Sequence, residues 1–261
     1  MKSLWFVFKE SELLLEQLGN DLFTIPLSDN PPTFINEGQQ VHEMEPTEEG
    51  IPVKTYLVDS STQLPLKHVY CELRQSYYKL PNEYYLLAGK CREINYWDAH
   101  SQYCGVCGAP MKLHTNISKR CTHCANEVWP QLATAIIVLI YKVDEVLLVH
   151  AKNFKSNFYG LIAGFVETGE SLEEAVVREV REETALEIEE LRYFDSQPWP
   201  YPIGLMIGFT ARYKAGKLHL QEEELSAGGW FHRDHLPQIP EKLSLARKLI
   251  DHWLEQNPDT L

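Results

Sequence analysis

The first hydrophobic run, "SLWFVFK", meets charge at once on both sides and lacks a small-residue cleavage site, so it reads as a strand and not as a signal peptide. From Leu27 to Pro52 the chain is rich in Pro, Asn, Gly and Glu, which predicts loops, and "VKTYLVD" then alternates as a strand does. "YYLLAGKCREINYWDAHSQ" places apolar residues at helical spacing and predicts a helix leading into a cysteine-rich stretch. From about Gln131 the texture becomes β-rich. "QLATAIIVLIYK" and "EVLLVHAK" flank "VD" as a hairpin would, and "YGLIAGFVE" follows. An amphipathic segment begins at Ser171. "LRYFDSQPWPYPIGLMIGFTARYKAG" predicts further strand broken by three prolines. "GGWFHRDHLP" predicts a last strand and turn, and "LSLARKLIDHWLEQ" a closing amphipathic helix. Strands and helices mix without regular βαβ alternation, so the expected class is an α+β sandwich and not a doubly wound sheet.

At 261 residues the chain has room for more than one domain, and the changes of texture suggest boundaries at 1–100, 101–129 and 130–261. Its longest apolar run, Ala135 to Tyr141, falls far short of the roughly 20 residues a bilayer helix needs, so a cytoplasmic location is the expectation. The net charge of −13 argues against a general nucleic-acid binder and fits an enzyme that handles an anionic substrate through cations.

Two pieces of chemistry change this picture. Cys104, Cys107, Cys121 and Cys124 form two C-x-x-C pairs separated by thirteen residues. Each pair can present two sulfurs to one ion, and together they complete the closed tetrahedral shell of structural zinc. Gly105 and Gly108 suit the tight turns, and His123 is surplus to a filled shell. Lys112, Lys119 and Arg120 between the pairs read either as a solvated loop or as modest support for a nucleic-acid ribbon. Cys71 and Cys91 read as packed free thiols.

The second is the helix in "GFVETGESLEEAVVREVREETAL". Ser171 and Glu174 form a capping box. Glu179, Glu182 and Glu183 project into the sector that Leu172, Ala175 and Val176 begin. Adjacent carboxylates repel one another, so a cation should compensate them, and hard oxygen ligands suit Mg²⁺ or Mn²⁺. A solvated acidic face is the alternative. Gly164 and Gly169 bracket the preceding loop, Glu170 stands before the helix, and Arg178 has the position to pair with a carboxylate.

This stretch resembles the Nudix box, G-x5-E-x7-R-E-U-x-E-E-x-G-U. Gly164, Glu170, Arg178, Glu179, Val180, Glu182, Glu183 and Leu186 match, while Ala185 stands where the pattern has glycine. The resemblance implies an α/β/α sandwich and hydrolysis of a nucleoside diphosphate linked to another group. In that reading Glu179, Glu182 and Glu183 hold divalent metal, Glu183 also positions or deprotonates water, and Arg178 and Glu170 orient the set.

"SQPWPYP", from Ser196 to Pro202, offers the rings of Trp199 and Tyr201 and the amide of Gln197, either as a wall for a planar group or as a rigid edge strand with core aromatics. It is similar to the S-Q-P-W-P-x-P-x-S array of the NADH pyrophosphatase branch, with Gly204 in place of the last serine. That branch also carries a four-cysteine ribbon and an N-terminal domain. The resemblance implies hydrolysis of NADH or NAD⁺ to nicotinamide mononucleotide and AMP, and typically a homodimer. It makes Phe165 and Trp129 candidates to stack on the substrate and Glu224 a further metal ligand. Removal of an NAD cap from RNA is the alternative activity, for which Lys152 and Lys155 give mild support. A zinc-ribbon regulator on an inactive scaffold is a third reading, which would require loss of the box acids.

Overall fold

The computed structural model describes residues 1–36, 39–154 and 157–256; Lys155 lies outside them. It divides into two compact units, one of residues 1–132 with 200–203, the other of residues 133–199 with 204–261.

The first unit opens with β1 (Ser3–Lys9), the expected strand. β2 (Glu12–Gly19), β3 (Leu22–Thr24), β4 (Leu27–Ser28), β5 (His42–Met44), β6 (Val53–Leu57) and β7 (His68–Glu72) complete its sheet. The order β3-β2-β1-β6-β5 places β1 parallel to β6, with β4 pairing β1 and β7 pairing β2. The Leu27–Pro52 stretch, expected to be loops, thus contains two short strands. The two-residue β4 and three-residue β5 are too short for a periodic signal. α1 (Leu73–Ser76) leads to α2 (Asn82–His100), the helix expected before the cysteines. Alternation along β1 buries both faces, with Leu4, Phe6 and Phe8 meeting Tyr85, Ala88 and Cys91 of α2, and Trp5 and Val7 meeting Tyr56. The cysteine module, β8 (Met111–Thr115), β9 (Ser118–Cys121) and β10 (Glu127–Val128), is a three-stranded antiparallel ribbon.

The second unit is built on β11 (Ala133–Lys142) and β12 (Glu145–Ala151), the expected hairpin around Val143 and Asp144. β13 (Ile162–Phe165) pairs antiparallel with β11. α3 (Leu172–Thr184) is the acidic helix. β14 (Glu187–Pro198) and β15 (Gly204–Ala215) are the proline-broken strands. β16 (Leu225–His232) and α4 (Leu245–Glu255) close the chain. The sheet runs β14-β15-β11-β12-β16, with β15 parallel to β11. Alternation on β11 sends Ile136, Val138 and Ile140 against Ala175, Val176 and Val180 of α3, and Ile137 and Leu139 against Leu249, Ile250 and Trp253 of α4. A mixed sheet clasped between two helices is the expected sandwich.

Candidate active site

α3 is stopped and started by its own residues. The Ser171 side chain accepts from the Glu174 N–H while the Glu174 carboxylate accepts from the Ser171 N–H at 2.8 Å, completing the capping box. At the other end Ala185 adopts a left-handed conformation, φ 56°, and its N–H donates to Arg181 O at 2.9 Å. This is the position where the Nudix pattern has glycine. Alanine holds the same cap at a cost of about 1 kcal/mol. The carbonyls of Glu183 and Thr184 accept from the N–H groups of Gln221 and His219, at 2.9 and 3.0 Å, so the loop carrying Glu224 is pinned to the end of the helix.

Arg178 is the hub of the box. Its Nε and Nη2 donate to the two Glu170 oxygens at 2.6 and 2.9 Å, a bidentate pair. Nη1 donates to Glu179 at 2.8 Å and to Glu182 at 3.2 Å, and Nη2 reaches Phe165 O at 3.0 Å. One side chain thereby ties β13, the loop and the helix together. The Glu170 carboxyl is held down at about 2 by the Arg178 guanidinium and the Glu167 N–H. Gly164 is needed because Glu179 lies directly against the β13 backbone, where a Cβ would overlap its carboxylate.

The carboxylates do not behave alike. Glu183 is 4% exposed, and burial, reinforced by Glu179, Glu224 and Glu182, pushes it up to about 8. Glu179 is raised too, chiefly by burial, against the pull of Arg178. Glu182 departs from the expected common sector. It stands about 100° from Glu183 around the helix, beyond the cover of the sheet, and its side chain is 55% exposed. Among the described residues the only group of three or more close-set metal ligands is the cysteine one, so these acids share a field without converging on a point. A buried carboxyl among three other acids nevertheless fits a divalent cation, which would replace the proton that Glu183 otherwise keeps. A cavity of about 550 Å³ borders the box, lined by Glu170, Arg178 and Glu182 among others.

The five expected substrate contacts divide between the two units. Phe165 is 66% exposed at the end of β13 and is tied to the box through its carbonyl. Trp199 is half-buried and donates its N–H to Gly204 O at 2.8 Å. Gln197 is buried, and its Oε1 has no hydrogen-bond partner among the described residues. Its register partner is Met206, which faces α4, so the side chain is buried there and donates to Leu243 O at 2.8 Å. Tyr201 is likewise engaged, its hydroxyl 2.9 Å from that of Tyr85 within the first unit. Trp129 is exposed, also in the first unit. The departure at Gly204 has a local reason, since a Cβ there would lie 2.9 Å from Ala133 O.

In the ribbon the four Sγ atoms lie within 4.8 Å of one another, 3.5 Å apart for Cys107–Cys121 and Cys107–Cys124 and 3.7 Å for Cys104–Cys124. A tetrahedron with metal–sulfur bonds of about 2.3 Å has edges of about 3.8 Å, so the four thiols fit one metal ion. N–H groups of His123 and Cys124 donate to Cys121 Sγ, both at 3.4 Å, and lower its thiol to about 6. Gly108 takes the left-handed turn of the first knuckle and Ala125 that of the second, at φ 75° and 59°. His123 is exposed, as expected. Lys119 is not the solvated residue anticipated. It is buried, 2.6 Å from Asp98, and donates to Asp98 O and Ser101 O, while Arg120 pairs with Glu127.

A sandwich whose box helix sets acids behind a glycine-hinged, arginine-tied loop defines a Nudix-type site. The family described as NUDIX domain matches residues 130–253, and that described as NADH pyrophosphatase-like rudimentary NUDIX domain matches residues 2–97. The NAD-capped RNA hydrolase NudC of Pseudomonas aeruginosa (strain LESB58) is 39% identical over 208 residues, 79% of this chain and 74% of that protein. The protein of the same name from Stutzerimonas stutzeri is 37% identical over 209 residues, 79% and 75% of the two chains. A Nudix hydrolase structure from Nitrosomonas europaea has a similar fold, with TM-score 0.51 and 19% identity over 59% of this chain and 90% of that one. The chain belongs to the Nudix hydrolase family, in the branch with an NADH pyrophosphatase-like N-terminal domain.

Proposed function

We propose that the protein hydrolyses the diphosphate bond of NADH or NAD⁺, giving nicotinamide mononucleotide, reduced or oxidised, and AMP. The observation that carries this reading is the buried Glu183, kept protonated up to about pH 8 among Glu179, Glu182 and Glu224. These four would hold Mg²⁺ or Mn²⁺ through hard oxygen donors. When bound, the divalent cation supplies neutralisation of phosphate charge and activation of water. Glu183, ionised once a divalent cation has replaced its proton, would receive the proton of the attacking water. Arg178 and Glu170 keep the loop on the helix so that the acids hold their spacing. The exposed Phe165 ring offers a face to the nicotinamide or adenine.

The name of the relatives favours a second reading, removal of the NAD cap from RNA, which breaks the same bond in a larger substrate. Lys119 and Arg120 are committed to Asp98 and Glu127 and lend it no basic path, which leaves, among the described residues named for it, the exposed Lys112 and Lys152. The test is turnover of NADH against NAD-capped RNA with Mn²⁺, read as AMP from the first and 5′-monophosphorylated RNA from the second. Absence of both products would end the proposal.

The ribbon ion in this reading is zinc, held structurally by Cys104, Cys107, Cys121 and Cys124, and the three modules 1–100, 101–129 and 130–261 act together in one chain. Four reduced thiols suit a cytoplasmic setting. No helix among the described residues is long and apolar enough to cross a membrane. A homodimer belongs to the same proposal, and light scattering giving a monomer mass would remove it.

A further inference from the structure

The first unit contains a cavity of about 580 Å³ that plays no part in the box, and its size is that of an ordinary small-molecule site. One wall is a ladder along α2. Arg92, Tyr96 and His100 stand four residues apart, on one face of the helix. The Arg92 guanidinium lies 5.6 Å from the Tyr96 ring centroid, and the His100 ring stacks on Tyr96 at 4.0 Å, 26° from parallel. His100 Nδ1 is committed to Tyr96 O at 2.8 Å, which leaves Nε2 for a ligand. The lining also carries two acids, Glu10 and Asp59, the latter accepting from Asn36 Nδ2 at 2.9 Å. Val58 contributes buried apolar surface.

Arg92 is the feature that asks for a ligand. Among the described residues Arg178 and Arg212 are each engaged by at least two carboxylates, Arg120, Arg192, Arg233 and Arg247 each by one, and Arg181, which lacks one, is exposed to water. Arg92 is partly buried and, among the described residues, has no carboxylate within ion-pair distance; the Tyr96 ring lies against it. Burial lowers its basicity more than the nearby Tyr96 and Glu72 raise it, so the cation is only partly compensated. A guanidinium so placed at a cavity wall is completed by an anion, and phosphate takes its fork in a bidentate manner. The aromatic ladder beside it suits a planar ring. The two carboxylates of the lining suit ring N–H donors and repel additional negative charge.

We propose that this cavity of the first unit binds a nucleoside 5′-monophosphate, with the phosphate on Arg92, the base along Tyr96 and His100, and base N–H groups toward Asp59 and Glu10. This site is separate from the box and stands whether or not the hydrolytic proposal holds. Each further phosphate would add charge that a single guanidinium, facing two acids, cannot neutralise.

Isothermal titration of the full, zinc-loaded chain tests this, in buffer without added Mg²⁺ or Mn²⁺ so that the box acids repel anionic ligands. The probes are 5′-AMP, ATP, adenosine and ribose 5-phosphate. The expected result is saturable 5′-AMP binding. ATP, adenosine and ribose 5-phosphate should each bind about tenfold more weakly or worse, the loss that follows from one strong contact. Arg92→Gln should weaken 5′-AMP by a similar factor, about tenfold or more, and Glu183→Gln should leave it unchanged. His100→Ala, at the exposed end of α2, should also weaken it and guards against misfolding of the arginine variant. No saturable binding, binding indifferent to both Arg92→Gln and His100→Ala, binding lost in Glu183→Gln, or ATP as tight as 5′-AMP would each overturn the proposal.

Discussion

Replacing Glu183 by glutamine separates proton, metal and catalysis at a single atom. The side chain is 4% exposed and its carboxyl is raised from 4.5 to about 8. At 1.36 kcal/mol per pKa unit, ionising it in the folded protein costs on the order of 5 kcal/mol more than in the unfolded chain. The folded state therefore holds a proton that the unfolded state has released. This contribution to stability is complete below the ordinary carboxylate pKa and is lost progressively as pH rises to about 8, where it levels off. Between about pH 6 and about pH 8 the metal-free protein should lose roughly 2–3 kcal/mol from this group. Glu183→Gln cannot ionise and should lack that slope, becoming more stable than wild type at about pH 8. A divalent cation replaces the proton in wild type, so Mn²⁺ should restore its stability at high pH and do little for the variant. Urea-unfolding midpoints across this range, with and without Mn²⁺, read the difference directly. Parallel pH profiles for the two proteins would refute the reasoning, and so would equal stabilisation of both by Mn²⁺. The same variant should lose hydrolysis by about 10²-fold or more, because the group receiving the proton is gone.

Gly164→Ala should push the Glu179 carboxylate off the β13 backbone. A ligand misplaced by about 1 Å costs on the order of 10²-fold in rate, measurable as NADH turnover with an unchanged circular dichroism spectrum. Ala185→Gly should relieve the left-handed cap at φ 56° and stabilise the protein by about 1 kcal/mol, read from denaturant midpoints, with activity unaltered. Cys107→Ser should abolish stoichiometric zinc by elemental analysis, since an incomplete shell loses most of its affinity. Retention of a full complement of zinc would show that the ion sits elsewhere.

The second unit was readable because its elements are long. The ten-residue β11 and the seven-residue β12 carry enough hydrophobic pattern to predict a hairpin, and the capping residues locate the start of α3. The metal thiols were readable from spacing alone, because two short knuckles leave the sulfurs little choice of direction. Side-chain facing beyond local spacing was not. Glu182 and Glu183 stand about 100° apart on the helix, but which of the two is covered shows only in the structure, where Glu182 is 55% exposed and Glu183 is buried. Gln197 turns inward because its strand register pairs it with Met206, a long-range fact. Lys119 was taken for solvent because nothing nearby in sequence shows that Asp98, on α2, waits for it. The Arg92 cavity gathers residues from β6, α2 and the loops between strands, and no spacing links them.

The central claim is that the box acids grip a divalent cation to hold a diphosphate. Crystals soaked in Mn²⁺ with a non-hydrolysable dinucleotide test it most directly through the anomalous difference map. The account predicts manganese peaks contacted by Glu179, Glu182, Glu183 and Glu224 and by diphosphate oxygens. A dinucleotide seated away from these side chains, with no manganese beside them, would contradict it.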